Sequence, residues 1–163
     1  MRGFLRGFRY AARGLWFCVR HERNFRIHMV IAAYVLAFAP YFSLNRGEWT
    51  ALLAVIALVL AAEALNTAVE QAVNLASPER RTRARVAKDV AAGAVLLCAL
   101  FAAAAGAVIF ARPGIWRAIG ADFRAHVWKP VLLLASIPLG LWFILCGGRR
   151  LKKKPRPLPP RGR

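Results

Sequence analysis

The chain is short of acid. Its 163 residues hold seven Asp and Glu against 25 Lys and Arg, a formal charge of +18. Cysteine is scarcer still. Cys18, Cys98 and Cys146 stand far apart, with no Cys-x-x-Cys pair and no Cys/His cluster, so no thiolate metal motif is present. The last two lie in apolar runs and read as small apolar filler. No Walker A motif and no Gly-rich kinase loop occurs, which excludes the P-loop and protein-kinase architectures. The first 26 residues carry an Arg every three or four positions and no apolar core, so a cleaved signal peptide is not expected.

What is abundant is apolar. Such residues make up 59% of the chain. That share conflicts with the high charge in a soluble domain, but the two agree in a small membrane protein whose charges lie outside the bilayer. The charge comes in blocks between long apolar runs. That pattern fits anionic lipid headgroups better than nucleic acid, and no nucleic-acid partner is expected.

A spanning helix needs roughly 20 mostly apolar residues. Four stretches meet or approach this: about 27–44, 49–75, 90–110 and 131–148. The third has no charged residue. The fourth contains Pro138, a residue that kinks helices. With the N-terminus inside and four spans, 20 Lys and Arg fall on the inner side and 5 on the outer. That split obeys the positive-inside rule, and a three-span chain would move the eight basic residues of 149–163 outside. The fold class is therefore all-α integral membrane. An amphipathic surface helix over 3–20 precedes the spans. There Phe4, Phe8, Ala11, Leu15 and Val19 recur on one face, and Arg2, Arg6, Arg9, Arg13 and Arg20 on another. Residues 1–110 form the main domain, 111–148 a linker and an extra span, and 149–163 a basic, proline-rich, disordered tail.

The stretch AAEALNTAVEQAVNL, residues 61–75, breaks the apolar pattern. From Trp49 to Leu75 a helix runs about 40 Å at 1.5 Å per residue, against a hydrocarbon layer about 30 Å thick. With Trp49 at the outer interface, Glu63 sits at the inner edge of the hydrocarbon and Glu70 at the headgroups. The two differ by only about 20° around the helix. Asn66, Thr67 and Asn74 join them in one polar stripe. Charge in this setting is costly, which marks a functional site. A purely structural stripe that holds helices together is the weaker reading, because Ala99, Ala103 and Gly106 already provide close packing.

Other polar groups fall at the same level: Glu22 in HERNFRIH, and Lys88 with Asp89 before the third span. Glu22, Glu70 and Asp89 offer oxygen ligands to Mg²⁺, which binds through one or two carboxylates plus phosphates. Lys88 and nearby arginines can neutralise phosphate. Glu63, the deepest carboxylate, is placed to act as a general base. His21 and His28, taken singly, read as interfacial side chains rather than metal ligands. The arrangement suits the joining of a soluble phosphate donor to a lipid hydroxyl, since those reactants meet only at the interface. Phosphoryl transfer is mostly positioning and charge stabilisation, so few residues suffice.

Four segments carry a resemblance: GFRYAARGLW, HERNFRIH, EALNTAVEQAVNL and ARVAKDVAAGAVLL. Over about residues 4–110 the chain resembles the small bacterial membrane lipid kinases of the diacylglycerol kinase and undecaprenol kinase family. The resemblance implies a surface helix with three spans, a homotrimer, and sites between subunits on the cytoplasmic side of the inner membrane that use Mg-ATP. It also implies roles. Glu63 matches the catalytic base and Asn66 an active-site asparagine. Glu22 and Glu70 match metal ligands that also serve ATP, alongside Tyr10, Lys88 and Asp89 at the nucleotide. Arg26 is expected with Glu63 at the lipid substrate. Asn74 stands where the family usually has Asp. The fourth span and the tail lie outside the family pattern, and anchoring is all that is expected of them. The acceptor stays open between diacylglycerol and undecaprenol, although ERNF and AKDVAAGAV look more like the undecaprenol type. A small transporter is the competing class, but a transporter places its ionisable site near the midplane. A structural membrane protein without catalysis is the other.

Overall fold

The computed structural model describes residues 2–76 and 82–146. All regular structure among them is helical: α1 (Arg2–His21), α2 (Arg23–Phe38), a 3₁₀ turn (Ala39–Phe42), α3 (Arg46–Ala76), α4 (Thr82–Phe110), α5 (Pro113–Ala125) and α6 (Trp128–Cys146). Four helical stretches are long and apolar enough to cross a membrane: Arg23–Phe42, Arg46–Ala76, Thr82–Phe110 and Trp128–Cys146. The protein is an all-α membrane protein.

The chain passes back and forth, so the bundle has an α1 end and a far end. The starts of α2 and α4 and the ends of α3 and α6 share the α1 end. At the far end a sharp reversal joins the 3₁₀ turn to α3. Ser43 takes the left-handed conformation, with φ 46°. Asn45 and Glu48 then cap α3 reciprocally: Glu48 N–H donates to Asn45 Oδ1 at 3.0 Å, and Asn45 N–H donates to Glu48 Oε2 at 2.9 Å. This capping box satisfies two of the orphan donors of the first turn. Glu48 also holds Arg112, whose second nitrogen donates to the Phe42 carbonyl at 2.7 Å.

The tightest packing lies toward this far end. Ala39, Leu52 and Ile109 are buried together, with Val35, Trp49 and Phe110 against them. Phe42 packs edge-on against Phe110 and Trp116. α3 and α4 form the most extensive helix pair, and α2 lies against α3. Large apolar side chains such as Leu96, Leu97, Leu100, Phe101 and Val108 of α4 remain exposed on the single chain, as a lipid-facing surface requires.

Two features depart from the sequence reading. The segment predicted as linker contains α5, which starts with Pro113 at its first turn and turns Trp116 and Phe123 towards Phe38. α4 starts at Thr82, well before the apolar stretch at 90–110, so Lys88 and Asp89 stand on the same helix as the third span. α6 is continuous through Pro138. Residues 149–163, expected as a disordered tail, lie outside the described residues.

Candidate active site

The polar stripe of α3 meets α2 and α4 near the α1 end. Glu63 is only 3% exposed, and Thr67, one turn on, is also buried. The Thr67 hydroxyl donates to the Glu63 carbonyl at 3.0 Å, which satisfies it within the helix. The Glu63 carboxylate faces α2, where His28 Nε2 lies 3.6 Å from Oε1. A cavity of about 260 Å³ opens here, with Glu63, Asn66, His28 and Asn24 among its walls and Val95 and Leu96 of α4 opposite. The Asn66 carboxamide oxygen is buried and has no hydrogen-bond partner among the described residues. Native proteins rarely leave such an acceptor unmet, so its natural reading is a ligand's donor.

A second cavity, about 270 Å³, lies beside this one. It is apolar and lies between α2, α3 and α4, lined by Ile31, Val35, Val59, Ala103 and Gly106 among others. His28 and Ala99 belong to both. The small residues of α4 leave the room, since a larger side chain at Ala102, Ala103 or Gly106 would fill it. Glu63, Asn66, Asn24 and His28 thus give the first cavity a polar patch on otherwise apolar walls, and the second cavity is apolar apart from His28.

Glu22 is the single residue between α1 and α2. Its backbone is extended, with φ −102° and ψ 113°, so it forms an elbow between two helices. It is half-buried and within electrostatic reach of Glu70 and Glu63. Burial first, and the neighbouring Glu70 second, push the Glu22 carboxyl above the usual carboxylate range, against smaller opposing effects of His21 and Arg26. Two mutually repelling carboxylates at a partly buried site fit a divalent cation. No group of three or more His, Cys, Asp or Glu able to enclose a metal occurs among the described residues. The donor set therefore fits Mg²⁺ shared with phosphates rather than a cation held by protein alone.

The nucleotide candidates are more open. Lys88 Nζ donates to Asn74 Oδ1 at 2.7 Å, which joins α4 to the end of the stripe. With a neutral Asn at 74, the lysine keeps its charge unpaired at this contact. An Asp there would compensate it. Asp89 is exposed and pairs with Arg85, one turn earlier, at 3.7 Å. Tyr10 is 60% exposed on α1, with the Arg13 guanidinium over its ring. Arg26 is 3% exposed and stands outside both cavities, with its guanidinium on backbone carbonyls of α1 and α6.

The sequence reading took His28 as an interfacial side chain and did not single out Asn24. A signal existed: they lie four residues apart, on one face of α2, in a segment that soon becomes wholly apolar.

A family model of prokaryotic diacylglycerol kinase matches residues 9–110. The chain belongs to that family. It is 37% identical over 107 residues to an undecaprenol kinase of Bacillus subtilis, covering 66% of this chain and 87% of that one. It is also 37% identical over 107 residues to a diacylglycerol kinase of Synechocystis, covering 65% of this chain and 61% of that one. A diacylglycerol kinase of Helicobacter pylori is 30% identical over 103 residues, 61% of this chain and 80% of that one. No solved structure matches. The protein is a lipid kinase, and the transporter and structural readings give way to that. α5 and α6 lie beyond the family match.

Proposed function

We propose that this lipid kinase transfers the γ-phosphoryl group of Mg-ATP to the single hydroxyl of a polyprenol of the undecaprenol class, at the cytoplasmic face of the bacterial inner membrane. The observation that carries the reading is Glu63 and Asn66 in the wall of one cavity and an apolar cavity beside it, with His28 in the walls of both. A single-chain alcohol matches that arrangement: its chain in the apolar cavity, its hydroxyl in the other. The similarity to the Bacillus subtilis undecaprenol kinase supports the same choice. Diacylglycerol, with two chains on a branched headgroup, suits one apolar cavity less well.

In this reading Glu63 accepts the hydroxyl proton as the lipid oxygen bonds to the γ-phosphorus and the bond to ADP breaks. The Asn66 carboxamide stands on the same cavity wall and aligns the hydroxyl by donating an N–H to its oxygen. Glu22 and Glu70 hold Mg²⁺, which when bound neutralises phosphate charge. Lys88 meets the phosphates, with Tyr10 and Asp89 at the nucleotide. Three copies complete the assembly, with nucleotide and lipid groups meeting between subunits, and the basic face of α1 lies on anionic headgroups. Purified protein given equal amounts of undecaprenol and diacylglycerol with Mg-ATP should phosphorylate mainly undecaprenol. Preference for diacylglycerol would reverse the assignment of acceptor.

Two further outcomes follow. His28→Leu keeps the apolar bulk at this position but removes the nitrogen facing Glu63. At 3.6 Å the contact is longer than a hydrogen bond, so kcat is expected to fall only a few-fold, with nucleotide affinity unchanged. Steady-state kinetics with saturating lipid check this, and an unchanged kcat would make His28 a wall residue only. Orientation is a separate matter. The 20-to-5 division of basic residues supports an orientation with both the α1 end and residue 163 in the cytoplasm. A reporter fused after Arg163 should read as cytoplasmic, and an external signal would reject four spans.

A further inference from the structure

α6, the second of the two helices beyond the family match, is tied to α2 at Arg26. Arg26 lies one turn into α2, directly after the Glu22 elbow. Its Nη1 donates to the Val19 carbonyl in the last turn of α1 at 3.0 Å. Its Nε and Nη2 both donate to the Ile144 carbonyl in the last turn of α6, at 3.2 and 3.0 Å. The last carbonyls of a helix lack partners within it and carry the negative end of the helix dipole. A buried guanidinium is a fitting cap for both. α6 is held to α2 at a second level as well. Tyr34 and Ser136 share a hydrogen bond at 2.9 Å. Beside it Gly140 lets α6 approach closely: a Cβ there would meet Val30 Cγ1 at 3.4 Å and the Tyr34 hydroxyl at 3.8 Å.

We propose that α6 is a strut which, through Arg26, fixes the α1–α2 elbow and so positions Glu22 for metal and nucleotide. Arg26 is then a positioning residue and does not touch the lipid. The elbow is a single non-helical residue, so the angle between α1 and α2 decides where the Glu22 carboxylate points. Arg26 ties both sides of that elbow to a third helix. The proposal rests on the reading of Glu22 as a metal ligand.

The test uses the full-length enzyme and separate KM values for Mg-ATP and for lipid. Gly140→Leu pushes α6 away from Val30 and Tyr34 without touching the site. It should raise the KM for Mg-ATP by about three- to tenfold, the usual range for coupling through a packed helix, and leave the KM for lipid unchanged. Arg26→Gln should move the same KM, and Arg26→Lys should restore part of it. Tyr34→Phe removes only the hydrogen bond to Ser136 and should act in the same direction by a smaller factor. It carries the test if Gly140→Leu does not fold. Unchanged Mg-ATP kinetics in Tyr34→Phe and Gly140→Leu would reduce α6 to an anchor and overturn the proposal. A rise in the KM for lipid alone in the Arg26 variants would also overturn it, by placing Arg26 at the acceptor. Glu22→Gln separates the two readings. If it leaves Mg-ATP affinity intact, the ligand assignment fails, whatever Gly140→Leu shows.

Discussion

Glu63→Gln is expected to lower kcat by about 10²- to 10⁴-fold, the usual contribution of a positioned general base. The KM for Mg-ATP should hardly move. The substitution keeps the shape of the side chain and its capacity to hydrogen bond, so the cavity and the neighbouring His28 stay in place. It removes only the ability to take a proton. An effect confined to kcat reports an interaction made in the transition state. Near wild-type turnover with saturating lipid would make Glu63 an orienting group. The hydroxyl would then lose its proton without a protein base, as a loose phosphoryl-transfer transition state allows.

Glu70→Gln should behave differently. Glu70 lies a further two turns along the same stripe, half-buried and beside Glu22. As the proposed metal ligand it would serve binding as well as rate. The Mg²⁺ concentration for half-maximal activity should rise by about 10- to 100-fold, no less than the loss of a group that merely orients a ligand. Turnover should fall too. Titrating Mg²⁺ at fixed ATP for wild type, Glu22→Gln and Glu70→Gln gives the comparison. Identical Mg²⁺ curves for all three would remove both glutamates from the metal.

How much of this was legible before the fold was known follows from what periodicity reports. Apolar runs and charge blocks place spans, because the bilayer imposes a length and excludes charge. The angular spacing of Glu63, Asn66, Thr67 and Glu70 places them on one face of α3, because a helix has a fixed pitch. Neither signal says which helix that face meets. His28 was therefore read singly, as an interfacial side chain, because one histidine on α2 has no partner in a linear pattern. Arg26 shows the same limit more strongly. Its sequence neighbourhood suggests the lipid, yet its guanidinium is directed to Ile144, which lies 118 residues further along the chain. α5 escaped because its Gly and Arg residues dilute an apolar face that only Phe38 and Phe42 complete. The Asn74 substitution was visible, but its consequence, a hydrogen bond to Lys88 in place of an ion pair, needed α4 beside α3.

The central claim is that ATP and a lipid alcohol react at this one site. Purified protein in detergent, with ATP labelled at the γ-phosphate and added undecaprenol, tests it most directly. Label should appear in the lipid fraction only when Mg²⁺ is present, and Glu63→Gln should nearly abolish it. Lipid labelling that survives Glu63→Gln and Glu70→Gln together, or ATP turnover with no labelled lipid, would contradict the account.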